Sequence, residues 1–168
     1  MNTILYLGPE GTHSHEAALQ HSGVNAKLVP CLSHYDVFEH LCVPVTRNRP
    51  LAIVPVENSS EGPVTQTLDQ LVAYPAVTIV DSFSMVVRHH LLVNPAIKRL
   101  SSIRRVYSHP QALGQCRASL RAVLPHAELM PDSSTAAAAR HAAQDMGSAA
   151  LASEAAANIN GLAILRRN

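Results

Sequence analysis

The sequence predicts an α/β protein with largely parallel sheets, folded as two lobes around a central cleft. Apolar runs of strand length alternate with segments of helical period, and turn residues separate them. Strands that alternate with helices build parallel sheets. The segment 77–92 is too long for one ordinary strand, so we expect it to cross between lobes. Lobe one is predicted to contain about 1–80 plus 161–168, and lobe two about 81–160.

Each predicted element is an apolar run or a helical stretch bounded by Gly, Pro, Asn, Asp or Ser. The predicted strands are Thr3–Leu7, Lys27–Cys31, Leu51–Val56, Val77–Val93 (broken or bent), Ile103–Tyr107, Ala127–Met130, Ala149–Ala152 and Leu162–Leu165. The predicted helices are His13–His21, Tyr35–Leu41, Pro63–Val72, Pro110–Leu124, Thr135–Gln144 and Glu154–Ile159.

Composition excludes several classes of protein. The 168 residues carry a formal charge of +1 without a basic cluster, which argues against a nucleic-acid partner. The three cysteines, Cys31, Cys42 and Cys116, form no Cys-x-x-Cys pair and fit buried thiols in a reducing compartment. No signal peptide is recognisable, and no apolar run approaches the roughly 20 residues of a membrane span. We therefore predict a cytoplasmic protein without a membrane partner; a homo-oligomer is compatible with the sequence.

Four predicted helices begin directly after turns of small, hydroxyl, Gly or Pro residues. Free N–H groups and a partial positive charge at such helix starts can bind a carboxylate or phosphate. Several starts facing one cleft would suit a small dianion. The alternative is that Thr12, Ser59, Ser133 and Pro110 are ordinary capping and first-turn residues, which is the commoner role for any one of them. The four turns are GPEGTHS, ENSSEGP, YSHPQ and DSSTA.

Two further groups of polar residues follow predicted strands. Glu57 and Asn58 come directly after a strand that we expect to be buried on both faces, where open α/β sheets place ligand-binding residues. Gln111 and Gln115 are four apart and share a helix face, so with Ser108 they could line one polar wall.

A metal centre and a nucleotide site are weakly supported. The ten histidines include neighbours such as His89 and His90, but none has the His-Glu-x-x-His spacing or belongs to a Cys/His tetrad. The chain also lacks a Gly-x-Ser-x-Gly nucleophile elbow, a Gly-x-Gly-x-x-Gly loop and a Walker lysine.

The segments YLGPEGTHSHEAA and AIVPVENSSEGPVTQTLDQL resemble two sequence blocks of the prephenate dehydratase family. VVRHHLL, YSHPQALGQC, SSTAAAA and ALASEAAANINGLAIL are similar to its later blocks. All of these blocks occur in the family's order and cover almost the whole chain. The resemblance is therefore to the family's catalytic domain.

The resemblance implies a two-lobed fold like that of periplasmic binding proteins, with no metal or organic cofactor. It implies a carbon–oxygen lyase of L-phenylalanine biosynthesis that removes water and CO2 from prephenate to give phenylpyruvate. Glu57 and Asn58 fall on catalytic positions. By the same resemblance, the substrate-binding positions are Thr12, Ser59, Ser108, Gln115, Ser133 and Thr135.

Two departures from the family pattern leave alternatives open. His13 stands where the family usually has Phe or Tyr, and we favour a role at the helix entrance over one in the pocket. No Thr-Arg-Phe segment, whose Thr is a principal catalytic residue of the family, occurs in the chain, nor does the regulatory domain of many members. Weak aromatising activity with retained prephenate binding is therefore expected. The alternatives are a non-aromatising prephenate decarboxylase of specialised metabolism and a non-catalytic aromatic-acid binding protein.

Overall fold

The computed structural model describes residues 2–43 and 49–167, and the chain divides into two compact units. The first contains residues 1–9 and 13–86, and the second contains residues 10–12 and 87–168. Each unit combines strands with helices, so the predicted α/β class is confirmed. No described helix is long and apolar enough to cross a membrane.

The first unit is built on a three-stranded parallel sheet with β1 at its centre. Leu5 of β1 packs with Val37 and Phe38 on one face, whereas Ile4 and Tyr6 pack with Ala18 on the other. Successive side chains of a strand point to opposite sides, so these contacts bury both faces of β1. The elements are β1 (Thr3–Leu7), α1 (His13–His21), β2 (Lys27–Cys31), α2 (His34–Cys42) and β3 (Leu51–Ile53).

A short hairpin follows the sheet of the first unit and carries two of the candidate site residues. It consists of β4 (Glu57–Asn58) and β5 (Gly62–Pro63), and α3 (Thr65–Ala73) comes next. The sequence predicted that the preceding strand runs to Val56 and that the helix begins at Pro63. Both predictions are wrong, because β3 ends at Ile53 and Pro63 pairs with Glu57 in the hairpin.

The second unit contains a mixed sheet of five strands in the order β10-β6-β9-β7-β8. β7 pairs in parallel with both β8 and β9, whereas β6 pairs antiparallel with β9 and β10. The prediction of largely parallel sheets therefore holds for the three-stranded sheet of the first unit and for half of the strand pairs in the second unit, whereas the hairpin of β4 and β5 is antiparallel. The strands are β6 (His90–Val93), β7 (Arg105–Ser108), β8 (Glu128–Pro131), β9 (Ser148–Ala152) and β10 (Ala163–Arg166).

Three helices cover the two faces of this sheet: α4 (Pro110–Val123), α5 (Thr135–Gln144) and α6 (Glu154–Asn160). Leu113 and Leu120 of α4 pack in one core cluster, and the alanines of α5 and α6 pack in the other. The small alanine side chains allow α5 and α6 to lie close to the strands, because a contact distance between elements depends on side-chain size.

Two further predictions, one for residues 77–93 and one for the final strand, differ from the structure. Within 77–93 only His90–Val93 forms a strand; residues 77–89 belong to no regular element. The final strand was assigned to lobe one, yet Ala163 and Ile164 pair with Val93 and Leu92, and this strand belongs to the second unit. Pairing of apolar strands decides this placement, which sequence order alone does not specify.

Candidate functional site

The carboxyl ends of β7, β8 and β9 lie at one edge of the second unit's sheet, because these strands run in the same direction. The chain leaves this edge into α4, α5 and α6, whose N-termini therefore meet there. Open α/β sheets bind ligands at this edge, and helix N-termini supply free N–H groups for an anion. The last strand residues at the edge are Ser108, Pro131 and Ala152.

The turn of residues 10–12 packs against the same edge. The Ser153 hydroxyl, buried at the start of α6, donates a 2.9 Å hydrogen bond to the Gly11 carbonyl. Gly11 has φ +86, and a Cβ placed on it would lie 3.3 Å from Ala156 Cα and 3.5 Å from Ala136 Cβ. The turn thus approaches the first turns of α5 and α6 closely enough to require glycine, and it brings half-buried Thr12 to this edge.

Three neighbouring hydroxyl residues at the start of α5 have different environments. Ser134 is the N-cap, and its hydroxyl accepts a 3.0 Å hydrogen bond from the Ala137 N–H. The expectation that Ser133 is an ordinary cap is therefore wrong. Ser133 is exposed, and its N–H and hydroxyl both lie within hydrogen-bond distance of Asp132 Oδ1, at 2.7 and 3.3 Å. Thr135 is half-buried and is the first residue of α5. Because Ser134 is the cap, the Thr135 hydroxyl is not required for capping.

Ser108 has a structural partner that the sequence does not predict. Its hydroxyl is fully buried and donates a 2.6 Å hydrogen bond to the Leu151 carbonyl, which joins β7 to β9. The Asp132 N–H donates to the Ser108 carbonyl at 2.9 Å and joins the end of β8 to the end of β7. Substrate contact by Ser108 stays a prediction, as does contact by Gln115, which is exposed on α4.

A contact between a histidine and a carboxylate at this edge was not predicted. His141 Nδ1 on α5 lies 2.6 Å from Asp132 Oδ2, and the His141 ring lies 5.4 Å from the Tyr107 ring. The other carboxylate oxygen, Asp132 Oδ1, accepts the hydrogen bond from the Ser133 N–H. No sequence pattern indicates the His141 contact, whereas the cap Ser153 could have been recognised as a Ser that directly precedes a helical Glu-Ala-Ala-Ala run.

The first unit places Glu57, Asn58 and Ser59 together in and after β4. The Asn58 side-chain oxygen accepts a 2.8 Å hydrogen bond from the Ser60 N–H and so stabilises the turn of the hairpin. Glu57 and Ser59 are exposed, and Asn58 is half-buried. The prediction that these residues act in one site with Thr12, Ser108 and Ser133 stays a prediction.

His13 lies at the start of α1, as expected for a residue at the helix entrance. Its Nδ1 atom lies 3.3 Å from Glu16 Oε2. Burial lowers the pKa of His13, and the hydrogen bond and charge of Glu16 oppose that shift. Among residues 2–43 and 49–167, no group of three or more His, Cys, Asp or Glu side chains is arranged to bind a metal ion.

The fold defines the chain as an α/β protein with polar residues at the carboxyl ends of three neighbouring strands. The chain belongs to the prephenate dehydratase family, whose sequence profile matches residues 4–168. It is 40% identical over 162 residues to a bifunctional chorismate mutase/prephenate dehydratase of Stutzerimonas stutzeri, and this match covers 96% of the chain and 43% of that protein. The chain thus spans less than half the length of that relative.

Two solved structures have folds similar to that of this chain. A prephenate dehydratase from Arthrobacter aurescens, determined with L-Phe, has a TM-score of 0.86 and 32% identity, and the match covers 98% of this chain and 55% of that one. GqqA, described as a novel type of quorum quenching acylase, has a TM-score of 0.84 and 29% identity, with 99% and 59% coverage. The periplasmic-binding-protein-like fold class is confirmed.

Proposed function

We propose that this chain catalyses the decarboxylating dehydration of prephenate to phenylpyruvate, the prephenate dehydratase reaction of phenylalanine biosynthesis, in the cytoplasm. Prephenate carries two carboxylates and a ring hydroxyl. The observation that supports this substrate is the carboxyl edge of β7, β8 and β9, where three helix N-termini and the Gly11 turn are held together. N–H groups at helix starts bind carboxylates without a neutralising cation.

In the proposed reaction the ring C–CO2 bond breaks, its electron pair aromatises the ring, and the ring C–O bond breaks as the hydroxyl leaves with a proton as water. The protein has to orient the dianion and stabilise the leaving oxygen. We assign Thr12, Ser133 and Thr135 to the carboxylates because their segments meet at the carboxyl edge. We assign Glu57 to proton donation and Asn58 to hydrogen bonding with the leaving oxygen; Ser59, Ser108 and Gln115 complete the proposed contacts.

The test is to incubate the chain with prephenate at neutral pH and to measure CO2 release together with the ultraviolet spectrum of the product. Phenylpyruvate supports the proposal. A dihydro-hydroxyphenylpyruvate indicates a prephenate decarboxylase instead. Saturable binding without CO2, both by this chain and by the continued chain of the parallel assay, indicates an aromatic-acid binding protein. Product identity is needed because a fold does not fix a reaction, and a protein of similar fold is described as an acylase.

A parallel assay uses the same chain continued with a segment that contains Thr-Arg-Phe. The comparison distinguishes two reasons for a negative result: the 168-residue chain cannot convert prephenate by itself, or the proposed reaction is wrong. If neither protein forms phenylpyruvate and neither binds prephenate, the assignment of substrate is wrong. If only the continued chain reacts, the substrate assignment stands and the added segment supplies a catalytic group.

A further inference from the structure

We propose that the second unit has a separate binding site for a small apolar molecule that ends in an anionic group. The site is a cavity of about 490 Å³ between α4 and the β8 edge of the sheet. Its volume falls within the range of roughly 300–1,000 Å³ typical of small-molecule pockets. Its lining includes Arg117, Leu120, Arg121, Leu124 and Leu129, none of which is a candidate prephenate contact.

The apolar part of the lining explains the apolar part of the ligand. Leu120 of α4 and Leu124, the residue that follows α4, are buried core residues that line the cavity, and half-buried Leu129 of β8 lines it as well. β8 is the last strand of the sheet, so no further strand covers this side within the described chain. A compact ring or branched alkyl group in the cavity would pack against these leucine side chains.

The two guanidinium groups explain the anionic end. Arg117 and Arg121 are exposed, are four residues apart on α4, and therefore project from the same helix face. Within residues 2–43 and 49–167, no hydrogen bond or ion pair joins either side chain to an acceptor. Like charges at this spacing repel each other, so an anion held by both would relieve that repulsion.

Neither the C-terminal end of α4 nor the nearby Glu128 accounts for the two arginines. Arg121 lies in the last turn of α4 and benefits from the partial negative charge of the helix end, but Arg117 lies one turn earlier, beyond that effect. Glu128 is no natural partner, because side chains alternate along β8 and Leu129 faces the cavity. The helix end itself disfavours an anion, so both arginines are needed for binding.

The test measures binding of 3-phenylpropionate, of phenyl phosphate and of neutral 3-phenylpropanamide to the folded chain by NMR titration. We expect saturable binding of at least one of the two anions, with a Kd on the order of 0.1–1 mM, and at least about tenfold weaker binding of the amide. The stronger anion identifies the source as a carboxylate or a phosphate. Saturating prephenate should not displace the probe.

The matched variants are Arg117→Gln/Arg121→Gln and, as a control, Arg140→Gln on the exposed side of α5. The double variant should lose at least about tenfold in affinity for the anion, whereas the control should bind as the original chain does. Unchanged circular dichroism and unfolding midpoint establish that the double variant is folded. Equal affinity of the acid and the amide, equal affinity in the double variant, displacement by prephenate, or no saturation up to about 10 mM would each overturn the proposal.

Discussion

The Ser153 hydroxyl donates a hydrogen bond of 2.9 Å to the carbonyl oxygen of Gly11, across 142 positions of the chain. The same hydroxyl oxygen accepts a 3.1 Å hydrogen bond from the Ala156 N–H and thereby caps α6. One buried side chain therefore fixes both a helix start and the turn that carries Thr12. The position of a candidate substrate residue thus depends on a hydrogen bond formed by a residue that would not touch the substrate.

Replacing Ser153 by Ala should destabilise the chain more than replacing Ser134 by Ala. Both serines accept a hydrogen bond from a backbone N–H at the third following residue, at 3.1 and 3.0 Å, so both changes remove a cap that typically contributes about 1 kcal/mol. Ser153→Ala also leaves the buried Gly11 carbonyl without this donor, which typically costs about 1–3 kcal/mol more. Urea unfolding measures both values, and equal losses would contradict this role for the Gly11 bond.

Gly11→Ala should be more destabilising than Gly62→Ala. Both glycines have positive φ, +86 and +81, so both substitutions carry a similar conformational cost of about 1–2 kcal/mol. A Cβ on Gly62 meets nothing within 4 Å, whereas one on Gly11 lies 3.3 Å from the backbone of Ala156. The difference between the two free energies of unfolding isolates the close approach of the turn to α6. Gly11→Ala should also weaken prephenate binding, because the displaced turn carries Thr12.

The sequence predicts the elements that depend on local pattern and misses those that depend on tertiary pairing. β1, β2, α1 and α5 begin and end at the predicted residues because periodicity and capping specify them. The hairpin at Glu57–Asn58 was missed because two-residue strands have no periodicity. The pairing of the final strand with β6 was missed because several apolar strands of equal length could have been its partner.

The same distinction applies to the candidate site. Helix starts after turns can be recognised in sequence, so the segments of Thr12, Ser133 and Thr135 were found. The choice of Ser134 rather than Ser133 as cap depends on backbone dihedrals, φ −160 and ψ 163, that adjacent serines could equally adopt. The contact between Asp132 and His141 joins a residue just after a strand to one on a helix, and no spacing rule predicts it.

Asp145→Asn should lower stability at neutral pH and reduce its loss in acid. Hydrogen bonds from the Ser148 hydroxyl and the Gly147 N–H, and then the Arg105 charge, hold the pKa of Asp145 below its ordinary value of 3.8. The unfolded chain therefore binds this proton at a higher pH than the native chain does. The stabilisation is complete well above pH 3.8 and is lost as the pH falls below it.

At pH 7 the loss on Asp145→Asn should be about 1–2 kcal/mol, since charge-assisted hydrogen bonds weaken. Glu154→Gln is the matched control. Its carboxylate also binds an arginine, Arg167, at 2.9 Å, but both side chains of that pair are largely exposed, so the loss should be smaller. Urea unfolding between pH 7 and pH 3 measures both, and a larger loss for Glu154→Gln would contradict the ranking.

The three cysteines should react with a thiol reagent at different rates. Cys42 is exposed, whereas Cys31 is buried and Cys116 is intermediate. Burial raises the pKa of Cys31, and the nearby Asp36 charge raises it further; burial alone raises the pKa of Cys116. Because the thiolate is the reactive form, native labelling at pH 7.5 followed by peptide mass spectrometry should detect Cys42 first. Equal labelling rates of the three cysteines in the native chain would contradict this order. The control is labelling in urea, where the three rates should be equal.

Thr135→Val should weaken prephenate binding without lowering stability. The change removes one hydroxyl at the carboxyl edge but retains the shape and β-branching of the side chain. Since Ser134 caps α5, the helix start is unaffected. Loss of a hydrogen bond to a carboxylate typically costs about 1.5–3 kcal/mol, which corresponds to roughly 10- to 150-fold in Kd. Equilibrium binding is the appropriate measurement because it does not require turnover.

Thr78→Val, an exposed change in the segment 77–89, serves as the control and should leave the Kd unchanged. If Thr135→Val binds prephenate as tightly as the original chain while Thr12→Val does not, the substrate carboxylate lies at the Gly11 turn rather than at the start of α5.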